Sequence, residues 1–159
     1  MSNAQIHVEK ITGLLSSLYD CEAYSNEIES PTEAEGNQVV ATYKEADSDE
    51  LFAISCDLTV ACSLGAALTR IPPGTAESAA NDCDVPDNIA DNLHEVLNIC
   101  SSIFADLEGQ RVVLNEVFLP NQDLAPELGE KLKAANTLLQ VKYELDRYPE
   151  GKISLLQFS

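Results

Sequence analysis

The sequence predicts an α/β fold, an α+β sandwich in which a mostly antiparallel sheet carries two long helices packed on one face. Three observations predict it: an Ala-rich apolar segment between residues 58 and 69, a long amphipathic stripe between 87 and 107, and a closing pair of strand-like segments joined by a turn. The closing hairpin argues against the fully parallel sheet of nucleotide-binding folds. Residues 5–19 set Ile6, Ile11, Leu14, Leu15 and Leu18 at helical spacing. A short strand follows near Cys21 to Ile28, and Ser30-Pro31 through Gly36-Asn37 is turn material. Gln38 to Lys44 and Leu51 to Cys56 form a hairpin across the charged loop Glu45 to Glu50.

Asp57 stands where a helix N-cap belongs, ahead of the apolar helix Leu58 to Thr69. Gly65 and the neighbouring alanines let that helix approach a sheet or a second helix closely, and Ile71-Pro72-Pro73-Gly74 ends it. A short helix covers Thr75 to Ala80, and Pro86 suits the first turn of the next helix. From Asp87 to Leu107 the residues Ile89, Leu93, Val96, Leu97, Cys100, Ile103, Phe104 and Leu107 make one apolar stripe, stopped at Gly109. Arg111 to Leu119 is a strand closed by Pro120, and Ala125 to Ala135 is a short helix. Leu138 to Tyr148 and Lys152 to Phe158 form the final hairpin across Tyr148-Pro149-Glu150-Gly151. With no repeat and no linker, residues 1–159 are expected to form a single domain.

Composition narrows the function. Nine Lys and Arg stand against 27 Asp and Glu, a formal net charge of −18. Such a surface repels phosphate backbones and anionic lipid, so nucleic acid and membranes are poor partners, while basic proteins, cations or a saline cytoplasm suit it. No segment has the ~20 apolar residues of a spanning helix, and the N-terminus lacks the pattern of a secretion signal. Five cysteines (Cys21, Cys56, Cys62, Cys83, Cys100) are an odd number without a Cys-x-x-Cys pair, which fits reduced thiols in a cytoplasmic protein. His7 and His94 have no ligand-like neighbours at metal spacing, so no metal site is expected in this chain. Glycine-rich phosphate loops, nucleophile elbows and metalloprotease signatures are missing from it.

The polar side of the 87–107 helix carries the remaining candidate. Asp91, Glu95 and Asn98 are spaced four and three apart, on one face opposite Leu93, Val96 and Cys100, with His94 on the polar flank. The Glu-x-x-Asn spacing alone is weak: 16 Glu and 10 Asn yield about one such pair by chance, and there is one. Asp91 to Asn98, however, resembles the Asp/Ser-x3-Glu-x2-Asn motif of the CheC/CheX-type chemotaxis phosphatases. The order around it is similar to the single-motif CheX-like members over residues 5–158: a strand into an Ala-rich helix, a Pro-bearing break, the motif helix, a strand ending in Pro120 and a C-terminal hairpin. Two departures stand out. Many such relatives follow the Asn with a small, Gly-bearing run, where this chain has Ile99-Cys100-Ser101-Ser102. The second motif of double-motif members is missing, since Glu9 meets Thr12 at the third place.

The resemblance implies hydrolysis of the aspartyl phosphate on a CheY-type receiver domain of a response regulator, in chemotaxis or two-component signalling. An acyl phosphate is already reactive, so the catalyst mainly positions water. An Asn amide, both donor and acceptor, suits that task much as a Gln does in some GTPases. Asn98 takes this role, Glu95 pairs with the receiver's active-site lysine, and Asp91 and His94 contact the partner. Magnesium is held by the receiver, and this chain binds no cofactor. CheX-type relatives dimerise through sheet edges, and the strand Leu138 to Tyr148 with its hairpin is the expected edge for a homodimer. Two alternatives stay open: a non-catalytic receiver-binding or assembly module of the same fold, resembling the flagellar-switch relatives, and an acidic cation-binding protein using Asp82, Asp84 and Asp87.

Overall fold

A computed structural model describes residues 8–19, 22–28, 37–45, 49–108, 111–120 and 126–158. His7, Cys21 and the predicted turn over 30–36 lie outside the described residues. The elements run α1 (Val8–Ser16), β1 (Ala23–Glu27), β2 (Gln38–Glu45), β3 (Glu50–Asp57), α2 (Leu58–Leu68), α3 (Pro73–Asp82), α4 (Asp87–Ile99), α5 (Ser101–Glu108), β4 (Val112–Phe118), α6 (Pro126–Ala134), β5 (Asn136–Leu145) and β6 (Gly151–Gln157). The strands form one six-stranded sheet in the order β1-β5-β6-β3-β2-β4, antiparallel at every pairing. The α+β class read from the sequence is the class observed.

Alternation builds the core side of the sheet. Val39, Ala41 and Tyr43 of β2, Phe52, Ile54 and Cys56 of β3, Val141 and Tyr143 of β5, and Ile153 and Leu155 of β6 all enter one buried cluster. The same cluster takes Ile11 and Leu15 of α1, most of α2, Ala76 and Ala79 of α3, the stripe of α4, and Ile103 and Phe104 of α5. These five helices therefore cover one face, and α6 contributes no residue to the cluster. The other face is more polar, with Thr42 buried on β2 and the buried Gln140 Nε2 donating to Ser154 Oγ at 2.8 Å.

The apolar helix α2 lies between the sheet and α4, which explains its uniform apolarity: Leu58, Val60, Ala61, Cys62, Ser63, Leu64, Gly65 and Ala66 are all buried. Gly65 is required by the crossing, because a Cβ there would lie 2.5 Å from the Ile89 carbonyl oxygen of α4. Asp57 precedes α2 as expected, but its side chain makes no cap bond. Its carboxylate instead ties three strands together, accepting from Gln38 Nε2 and from the Lys152 backbone N–H, each at 2.9 Å.

Several expected boundaries move. Pro73 opens α3 rather than merely closing α2, because its fixed φ and missing N–H suit a first turn. The stripe over 87–107 is two helices, not one, parted at Cys100, where Ile103 N–H turns back three residues to the Cys100 carbonyl at 3.0 Å. Apolar spacing is the same on both sides of that break, so periodicity could not register it. The strand expected at 138–148 as a dimer edge is interior instead: β5 is paired with β1 on one side and β6 on the other. The sheet edges are β1 and β4.

Candidate functional site

The α4 helix has two sides of different character. Ile89, Leu93, Val96 and Leu97 are buried, while Asp91, His94, Glu95 and Asn98 are exposed. The exposed four stand at i, i+3, i+4 and i+7, so they form one ridge on the helix surface. Asp87 and Asn88 extend it toward the N-terminus, and Ser102 lies exposed four residues past Asn98. Apart from His94, the titratable side chains of this ridge are acidic, and no basic residue occupies the last turn of α4.

Three contacts fix where the ridge points. The missing side chain at Gly65 lets α4 lie close against α2. Asn92 Nδ2 donates to the Gly65 carbonyl at 3.0 Å and to Thr69 Oγ1 at 2.8 Å, holding the middle of α4 to α2. At the far end the buried Tyr43 hydroxyl donates to the Leu97 carbonyl at 2.7 Å, immediately before Asn98. Sequence reasoning singled out none of Asn92, Tyr43 or Ile89 for this part. A usable signal for Tyr43 was its place on the apolar face of β2, since a buried phenol needs an acceptor.

The run after Asn98 fits the break. Cys100 is buried beneath it, and burial pushes its thiol up to about 12. Cys56, also buried, is pushed up by burial first and then by Cys100. Thr12, at the place where a second motif would carry its amide, is tied into the fold: its hydroxyl donates to the Val8 carbonyl at 2.8 Å and lies 2.7 Å from Ser25 Oγ of β1.

Among the described residues, no group of three or more His, Cys, Asp or Glu is arranged to hold a metal ion. Asp82, Asp84 and Asp87 are exposed and are not brought together as such a group. No helix among the described residues is long and apolar enough to cross a membrane.

A six-stranded antiparallel sheet with α1 to α5 on one face makes the described residues an α+β sandwich, and α4 carries the exposed acid–amide ridge on its outer side. No family model and no curated protein sequence matches the chain. Solved structures do. The FliM middle domain of H. pylori aligns with a TM-score of 0.58 at 8% identity, over 94% of this chain and 84% of that one. Thermotoga maritima FliY aligns at 0.54 and 12% identity, over 93% and 82%. A chain of the Borrelia burgdorferi CheX–CheY–BeF3–Mg2+ complex aligns at 0.51 and 13% identity, over 96% and 95%. All three share the CheC/CheX-like fold, so the resemblance read from the sequence holds at the level of fold.

Proposed function

We propose that this protein docks the α4 ridge onto a CheY-type receiver domain and hydrolyses the receiver's aspartyl phosphate. The observation that carries the reading is the joint exposure of Glu95 and Asn98 on one side of a regular helix whose other side is buried. A rigid helix positions a side chain better than a loop does. In this reading the Asn98 amide enters the receiver's phosphorylated pocket and holds a water in line with phosphorus, accepting one water proton while its NH2 group donates to the phosphoryl oxygens. Glu95 pairs with the receiver's active-site lysine and sets the depth of docking. Asp91 and His94 meet the partner's surface, and the acidic ridge favours a basic rim around the pocket. The receiver supplies the magnesium. An odd number of cysteines without a Cys-x-x-Cys pair, and a receiver domain as partner, support a cytoplasmic setting for this work.

A second reading has its own support. Two of the three structures described above, FliM and FliY, carry names other than CheX, and the run after Asn98 departs from the expected Gly-bearing pattern. A module that binds the receiver without turning it over uses the same ridge.

The experiment mixes phosphorylated receivers from the source genome with a substoichiometric amount of this protein and follows phosphate release. A shortened phosphate lifetime at substoichiometric dose supports the phosphatase. Binding that depends on phosphorylation, with an unchanged or lengthened lifetime, assigns the binding module. No interaction with any receiver contradicts both.

A further inference from the structure

Tyr43 lies beneath the end of α4 that carries Asn98. The β2 ladder slips register at this residue on both sides: between Thr42 and Tyr43 against β4, and between Tyr43 and Lys44 against β3. The extra residue lies on the neighbouring strand each time, Asn115 of β4 and Leu51 of β3, so both ladders are interrupted beside Tyr43. The buried Tyr43 ring packs against Phe104 of α5 with centroids 5.0 Å apart, and Phe104 stacks on Phe52 at 4.6 Å. Its hydroxyl reaches the Leu97 carbonyl of α4 at 2.7 Å. One side chain therefore grips both sides of the break at Cys100, α4 through its hydroxyl and α5 through its ring. Burial holds the phenol well above its ordinary value of 10, so it keeps its proton and stays a donor.

The geometry points to Tyr43 as a positioning residue for Asn98, fixing the last turn of α4 so that the amide is presented at a set height and angle. The inference rests on the catalytic role proposed for Asn98. Terminal turns of helices carry carbonyls without helical partners and fray readily. Asn98 stands one residue from the end of α4, beside the break at Cys100. The Tyr43 hydroxyl, bound to the carbonyl of the preceding residue, opposes fraying there. A reacting group misplaced by about 1 Å loses much of its rate.

Tyr43→Phe keeps the ring on Phe104 and removes only the hydroxyl. In steady-state assays of phosphate release from a phosphorylated receiver, kcat is expected to fall about tenfold with KM changed less than about twofold. Tyr19→Phe deletes a matched buried bond at the contact of α1 with α2, from the Tyr19 hydroxyl to the Leu64 carbonyl at 2.7 Å. It is expected to leave kcat unchanged. Placed on Asn98→Ala, Tyr43→Phe is expected to cost nothing further, because it acts through that amide. If Tyr43→Phe keeps full kcat while Asn98→Ala loses it, the positioning role is overturned and the role of Asn98 stands. Equal kcat losses in Tyr43→Phe and Tyr19→Phe also overturn it, as general loosening. Full activity in Asn98→Ala removes the catalytic reading and this inference with it.

Discussion

Glu95 and Asn98 stand one helical turn apart, yet their proposed tasks separate in kinetics. A carboxylate that pairs with the receiver's lysine contributes to docking as well as to the transition state. Glu95→Gln is therefore expected to raise KM for the phosphorylated receiver by about tenfold, a loss of ~1.4 kcal/mol. A titration in which KM stays fixed assigns the pairing elsewhere. The thiols allow a second prediction at this scale. Cys56, Cys62 and Cys100 are buried, and burial holds the Cys62 thiol at about 11 and that of Cys100 at about 12, whereas Cys83 is half-buried. Thiolate is the reactive form. In a Cys21→Ser background a thiol reagent at pH 8 is expected to label one cysteine promptly, and none once Cys83→Ser is added. Prompt labelling of a second site contradicts the buried placement.

At the scale of elements, the contact of α2 with α4 is the joint that aims the ridge. A methyl group at position 65 meets the Ile89 backbone 2.5 Å away, and backbone cannot step aside as a flexible side chain can. Gly65→Ala is expected to cost about 1–3 kcal/mol in denaturant unfolding. Asn92→Ala, which strips two hydrogen bonds from the same joint, is expected to cost about 1–2 kcal/mol. Neutral effects from both contradict the joint. Much of this element level was legible in the sequence. Strand-like runs between turn signals marked every strand, β5 least well since it spans Asn136–Leu145 where 138–148 was expected, and the uniform apolarity of 58–69 marked a buried helix. The exposed ridge followed from the spacing of 91, 95 and 98 alone. Long-range pairing was not legible, because alternation gives a strand's two faces but not its neighbours, so β5 read as an edge. The break at Cys100 was hidden because both halves keep their apolar residues in phase. The bond from Tyr43 to Leu97 joins residues 54 apart in the chain, and no local pattern encodes it.

For the whole molecule, charge and burial set the response to solution conditions. With a net charge of −18, self-repulsion opposes the compact state and added salt screens it. Raising salt is expected to raise Tm while slowing association with a receiver's basic rim, and a rate insensitive to salt contradicts the steering. The buried thiols and Tyr43 set the alkaline limit. Their native values are raised, so above the ordinary thiol value of 9.0 the unfolded chain loses protons that the native state keeps. Stability is therefore full below about pH 9 and falls as pH rises toward 12, by about 1.4 kcal/mol per pH unit for each group involved. Urea unfolding between pH 7 and 10.5 checks this, and a flat profile contradicts it. The claim on which the functional reading turns is that a single amide orders the attacking water. Single-turnover decay of a phosphorylated receiver, saturated with wild-type protein or with Asn98→Ala, measures it most directly. A rate lower by about 100- to 1,000-fold in the variant, with binding retained, is the predicted result; equal decay with both proteins contradicts it.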